Sequence, residues 1–222
     1  MWISYIINCV RDNFWDTTVL PPDDYVVMVF TEDTRQNADT AYVPVTVLPV
    51  DDTPPAQPVF KFVQGTDQGM RLGWYANQET DLAGYRLYFS FNNVSWSLFK
   101  DERIFTSQVS DTLLKMILNS DVYFFLTAVN NSPQQNESIP SDIYGLSNGK
   151  TFLGKILVVD GFDRTDGAFT QPFHSFVFKY GRALSENNFS FDTVPNESVT
   201  DCRADLCSYA GVFWFVGDES VR

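Results

Sequence analysis

One histidine, three cysteines and 28 acidic residues are the groups with which this 222-residue chain could do chemistry. A catalytic zinc needs several nitrogen, sulfur or carboxylate ligands and an open position for water, so a lone His174 excludes the two-histidine sites. Cys202 and Cys207 lack the further paired cysteines of a structural site. They are close enough for a small local bridge, or stand as two free thiols, and Cys9 stands alone. Asp160, Asp163, Asp166 and Gly167 invite a calcium reading. That reading fails, because an EF-type loop spaces its acidic ligands by two rather than three and ends on Glu, where this chain has Gln171. No metal and no cofactor is expected.

What survives is position. Residues 155–161 form a continuous apolar run closed by Asp160 and Gly161, the pattern of a strand buried on both faces. Phe173, Phe176, Val177, Tyr180 and Leu184 then recur at helical spacing, with Pro172 suited to the first turn and Asn187 and Asn188 to the end. Further strands are expected at 189–194 and 211–217. Strand, helix, strand, strand opens an α/β sheet, whose ligands gather at the carboxyl ends of the strands. Asp160, Asp163 and Arg164 follow the first strand, Asn196 and Glu197 the second, Asp218 and Glu219 the third. The catalytic candidates are therefore Asp160, Asp163, His174, Asp218 and Glu219. Carboxylates converging there would bind a cation or do acid–base work. Alternatively they cap helix N-termini and solvate the rim, with His174 opening the helix in a structural role.

The middle of the chain has a different rhythm. Short strand-like runs at 59–63, 70–74, 84–90, 113–117, 122–129 and 143–146 are separated by turn clusters, the signal for an antiparallel sandwich. Trp74 in the second run, Tyr85 in the third, and Leu118 five residues before Tyr123 resemble a fibronectin type III domain over 54–147. The resemblance implies that Tyr123 is the tyrosine of the corner, its ring in the core and its hydroxyl bonded to nearby backbone. Trp74 fills the same core.

An internal repeat extends the pattern forward. Leu20 and Tyr25 stand in the relation of Leu118 and Tyr123, each tyrosine opening an alternating strand, and the offset of 98 residues is about one sandwich domain. Residues 20–49 are thus expected to be the last two strands of a preceding sandwich, the final one at 41–47, with the chain starting mid-domain. Asp51, Asp52, Pro54 and Pro55 make a stiff, wet linker.

The back end resembles a particular group. The VDGFDR stretch from Val159 to Arg164, His174 to Val177, Tyr180 to Leu184, and the GDES stretch from Gly217 to Ser220 look like the C-terminal α/β domain of large exported bacterial proteins. These are called xanthan lyase-like, golvesin-like or N-acetylmuramoyl-L-alanine amidase, and the domain is similar in layout to class I glutamine amidotransferases. The resemblance implies further elements after GDES, and an amidotransferase-like nucleophile on a tight turn after a later strand, beyond Arg222. Cys202 and Cys207 precede the third strand, the wrong place for that turn.

The expected fold class is multidomain β plus α/β. A fibronectin type III-like β-sandwich at 59–148 is preceded by a partial β-sandwich at 1–50 and a linker at 51–58. An incomplete open α/β sheet follows at 150–222. With 15 basic against 28 acidic residues the formal charge is −13, which opposes nucleic acid and anionic lipid. The 44% hydrophobic and 19% charged composition excludes disorder. No membrane span occurs, and the apolar start lacks the flanks of a signal peptide. The expected function is a fragment of an exported multidomain protein, extracellular, on the cell surface or periplasmic, with the sandwiches as spacer or binding units. Its partners would be polysaccharide or peptidoglycan and the other domains of the parent. The alternative is part of a hydrolase of peptidoglycan amide bonds or polysaccharide, with its catalytic residues beyond Arg222. Exposed aromatics such as Trp96 would offer stacking to carbohydrate.

Overall fold

The computed structural model describes residues 20–32, 34–49, 53–116, 119–147, 153–162, 171–201 and 205–217. Contacts divide the chain into two units, Met1–Asp51 and Asp52–Arg222. No helix among the described residues is long and apolar enough to cross a membrane.

In the first unit, β1 (Asp23–Glu32) and β2 (Ala38–Val47) form an antiparallel ribbon paired from Asp23 with Val47 to Glu32 with Ala38. Tyr25, Val27 and Val29 lie opposite Val45, Val43 and Ala41. The other face carries Val26, Met28 and Phe30, so both faces are apolar. Phe30 and Tyr42 remain half-exposed or more. The Tyr25 hydroxyl donates to the Pro21 carbonyl at 2.7 Å.

The second unit is mostly antiparallel β. Seven strands make the sandwich: β3 (Phe60–Thr66), β4 (Gly69–Trp74), β5 (Leu82–Ser90), β6 (Ser97–Lys100), β7 (Asp111–Leu114), β8 (Asp121–Asn130) and β9 (Tyr144–Ser147). The order β3-β4-β7 forms one face and β6-β5-β8-β9 the other. The pairing of β5 with β8 puts Tyr85 opposite Ala128, Leu87 opposite Leu126 and Phe89 opposite Phe124. Because side chains alternate along a strand, these residues share a face with Val122. Trp74, fully buried, closes that core with its ring edge-on to Tyr85 at 5.4 Å. Burying a side chain of this size contributes about 3 kcal/mol.

Two strands differ from expectation for local reasons. The strand expected at 113–117 occupies Asp111–Leu114, because its partner β4 begins at Gly69. There φ is +137° and an added Cβ would lie 2.1 Å from the Leu114 carbonyl oxygen; only glycine tolerates that approach. The short strand β6 was not anticipated. It follows a turn in which Asn92 Oδ1 accepts from the backbone N–H groups of Val94 and Ser95, each at 2.9 Å.

Tyr123 departs from expectation. One residue out of phase with Val122, Phe124 and Leu126, its ring points away from the sandwich core. It packs against Phe178 at 4.9 Å and Phe191 at 6.3 Å, and its buried hydroxyl has no hydrogen-bond partner among the described residues. Its repeat partner Tyr25 makes the corner-like bond instead. Leu118 lies outside the described residues.

After the sandwich come β10 (Lys155–Asp160), α1 (Phe176–Glu186), β11 (Ser190–Pro195), α2 (Asn196–Thr200), a 3₁₀ turn (Leu206–Ser208) and β12 (Gly211–Phe215). β10 pairs in parallel with β11 on one side and β12 on the other. β11 is buried along its whole length and touches both sandwich faces, pairing Thr193 with Val63 and Phe191 with Ser147. The buried Thr193 hydroxyl donates to the Gly145 carbonyl at 2.5 Å. Ser198 on α2 donates to Lys61 O at 2.6 Å, and Ser185 on α1 to Asp121 Oδ1 at 2.7 Å. The buried core runs without a break from Trp74 through Tyr123 to Phe191, Val177 and Phe215.

The helix starts later than its apolar spacing suggests. Pro172 and Phe173 precede it, as does His174, whose backbone N–H donates to the Asp142 carboxylate while its carbonyl accepts from Ile143 N–H. These bonds tie His174 to the sandwich before the first turn. The helix ends as expected, with Asn188 at φ +66°. β12 is not buried on both faces: Val212, Phe213 and Trp214 are 42%, 38% and 48% exposed, since among the described residues only β10 pairs with it.

Candidate functional site

The parallel register decides what stands at the carboxyl edge. Asp160 is aligned with Pro195 on β11 and Phe215 on β12, so the chain leaves all three strands on one side. Gly161 N–H donates to Phe215 O at 2.9 Å, holding the turn against β12. A Cβ on Gly161 would meet Trp214 Nε1 at 2.6 Å.

Asp160 is buried and its Oδ1 accepts from Phe162 N–H at 3.1 Å. The Tyr144 side chain, at the start of β9, is close enough to the same carboxyl to feel its charge. Full burial pushes the Tyr144 phenol well above its ordinary pKa, and the nearby carboxylates of Asp160, Asp142 and Glu197 push it further. It therefore stays protonated.

His174 lies beside this pair. Its ring stacks on Phe176 at 5.1 Å and meets Phe162 edge-on at 5.0 Å. Nδ1 is 3.4 Å from Asp142 Oδ1. The same oxygen accepts the His174 backbone N–H, so Asp142 fixes the residue through its main chain and sets a carboxylate beside the ring. A small cavity of about 80 Å³ adjoins the group, lined by Gln57, Pro58, Val59, Phe60, Asp142 and Tyr144. It has room for ordered water.

Of the residues the sequence singles out, Asp160 and His174 are brought together, through Phe162 and through Asp142 and Tyr144. Glu197, in the first turn of α2, is close enough to act on Tyr144. Asp163, Arg164, Asp166, Asp218 and Glu219 lie outside the described residues, as do Cys9 and Cys202. Cys207 is exposed, its backbone N–H on Asp205 Oδ1 at 3.0 Å. Trp96 is no free platform, since its ring packs on Phe125 at 4.7 Å. Among the described residues no three His, Cys, Asp or Glu side chains gather as a metal site. Asp142 and Tyr144 were missed. They flank a strand start with no motif around them, and only the fold turns them toward Asp160 and His174.

A second ionic group occupies the opposite end of the parallel strands. Asp192, buried on β11, receives Lys155 Nζ at 3.0 Å, Gly65 N–H at 2.8 Å and the Tyr209 hydroxyl at 3.0 Å. Lys155 also donates to Gly65 O at 2.6 Å. Burial raises the Asp192 pKa, against the pull of Lys155 and these donors. Every partner belongs to the protein's own framework, which makes this group a fastener between β3 and the parallel strands.

No protein-family model and no curated protein matches this chain. Among solved structures, the chicken CNTN1 FN1–FN3 domains align over 59% of this chain and 44% of that one, at 14% identity and a TM-score of 0.34. The Clostridium perfringens spore cortex lytic enzyme SleM aligns over 59% and 42%, at 13% identity and 0.34. A cytokine receptor complex aligns over 56% and 79%, at 11% identity and 0.34. The aligned region thus spans less than half the length of the first two.

Proposed function

We propose that this chain is part of an exported bacterial multidomain protein of the cell surface or cell wall, in which the sandwich acts as a spacer and binding unit. The ribbon of residues 20–49 belongs, on this reading, to a preceding sandwich. The segment from Lys155 onward is the opening of an open α/β sheet of the amidotransferase-like kind. The observation that carries the proposal is the seating of β11 across both sandwich faces, through Thr193, Phe191 and the buried Thr193–Gly145 bond. Such a seam suits a stiff module, because two elements sharing one buried core do not flex independently. Incubating the chain with insoluble peptidoglycan and with insoluble polysaccharide tests it. Retention without release of reducing ends or free amino groups is expected; steady release overturns the spacer reading.

The 3.4 Å approach of His174 Nδ1 to Asp142, beside the Tyr144–Asp160 pair, favours a second reading. In it the carboxyl edge belongs to a hydrolase of peptidoglycan amide bonds or polysaccharide. His174→Ala and Asp160→Ala would then abolish product release while leaving retention on the polymer unchanged.

A further inference from the structure

A separate cavity of about 490 Å³ opens where the end of β4 meets the segment leading into β3, lined by Gln57, Val59, Tyr75, Asn77, Gln78 and Glu79. Its polar walls are already oriented. Gln57 Nε2 donates to Pro140 O at 2.6 Å and Pro172 O at 2.9 Å. Asn77 Nδ2 donates to Ala56 O at 2.8 Å and Glu79 Oε1 at 3.4 Å, while Glu79 Oε1 also accepts Ala56 N–H at 2.6 Å. Both amide nitrogens are thus committed to the protein, and the side chains cannot flip without losing these bonds.

What remains over are acceptors. Gln57 Oε1 and Asn77 Oδ1 accept none of the hydrogen bonds formed by the described residues, while Glu79 Oε2 has no exposed surface and stands behind them. Burial alone would raise the Glu79 pKa, but the hydrogen bonds outweigh it and hold the carboxyl below its usual value, so it is ionised at neutral pH. Beside these oxygens stands the Tyr75 ring, with Lys61 Nζ 5.0 Å from its centroid. A matching ligand must donate several hydrogen bonds and carry an apolar face for the ring. A hexopyranose does both, with hydroxyls around its rim and C–H groups on its faces. An N-acetyl group would need donors that Gln57 and Asn77 no longer have free, and a uronate would find one cation, Lys61, set against Glu79 and a chain of net charge −13.

We propose that this cavity binds a neutral, non-acetylated hexose unit of a polysaccharide, its hydroxyls on Gln57 Oε1 and Asn77 Oδ1 and its C–H face on Tyr75. The inference rests on the sandwich being a binding unit, and names the class of glycan it takes. Calorimetric titration of the whole chain with laminarihexaose, cellohexaose, mannohexaose and tetra-N-acetylchitotetraose tests it, with retention on insoluble peptidoglycan measured alongside. Binding of at least one neutral hexaose over the N-acetylated tetramer is expected. Tyr75→Ala should weaken it about tenfold, the loss of one aromatic contact, and Tyr75→Phe should restore it. If Tyr75→Ala does not fold, Tyr75→Leu, which keeps apolar bulk and removes the ring, gives the same readout. Binding unaltered in these variants, or preference for the N-acetylated tetramer, overturns the site. Retention on peptidoglycan with no hexaose binding overturns the site but leaves the binding-unit reading standing. Failure on every polymer overturns both.

Discussion

The Tyr25 hydroxyl reaches back 2.7 Å to the Pro21 carbonyl, while Tyr123, its counterpart 98 residues later, turns its ring to Phe178 and leaves its hydroxyl without a partner among the described residues. The two tyrosines share a sequence context but not a role. In β8 the neighbouring Val122 takes the core-facing position, and α1 covers the face on which Tyr123 stands. Tyr25→Phe should therefore weaken the β1–β2 ribbon by about 0.5–1 kcal/mol, the net worth of one hydrogen bond. Tyr123→Phe should be neutral or slightly stabilising, since it removes a buried hydroxyl that has no partner. Hydrogen exchange of the β1–β2 amides reads the first and urea unfolding the second. A loss above about 1 kcal/mol for Tyr123→Phe would contradict the assignment.

Lys155 and Asp192 behave asymmetrically. Removing the lysine leaves a buried carboxylate uncompensated, and Lys155→Met should cost about 3 kcal/mol, the low end for a buried pair because 27% of the lysine side chain is exposed. Asp192→Asn keeps the shape and removes the charge that burial disfavours, so its cost should be smaller. Denaturant midpoints of the two variants give the comparison; equal losses would remove the argument.

Gly181 faces Phe191 across the contact between α1 and β11. A Cβ there would lie 2.4 Å from Phe191 Cζ, and Phe191 is fully buried. Gly181→Ala should therefore destabilise the second unit by about 1–3 kcal/mol despite alanine's better helix propensity. Thermal unfolding checks the sign: a rise in Tm would show that the helix moves away freely.

The Arg86 guanidinium binds Glu102 at 2.7 Å and Glu137 at 2.5 Å on the outer face of the sandwich. The hydrogen bond to Arg86 holds the Glu102 carboxyl below its usual range. A lowered folded-state pKa means stability that is present above the unfolded value of about 4.3 and lost as pH falls through the folded one. Glu102→Gln should flatten the acid limb of the stability curve, measured by urea unfolding at stepped pH. An unchanged slope would assign the acid sensitivity elsewhere.

Alternation and turn residues were enough to place most of the strands, though not the short β6 or the bounds of β7. The patterns around Tyr85 and Leu87, and around Val122 to Ala128, announce half-buried antiparallel strands because side chains alternate with period two. The run closed by Asp160 and Gly161 announces a buried parallel strand, and Asn188 the helix end. Phase was not legible in the same way. Tyr123 and Val122 are both large and apolar, so composition cannot say which faces the core. Pairing with β5 decides it, since Phe89 must lie opposite Phe124. Nor could spacing show that His174 is held by Asp142, or that Tyr144 reaches Asp160, because those partners are distant in sequence and carry no local signal. Most strands and the longer helix are written in periodicities that any short window contains. Which carboxylates meet is settled by the folded chain, because β11 inserts at the sandwich seam through contacts no window spans.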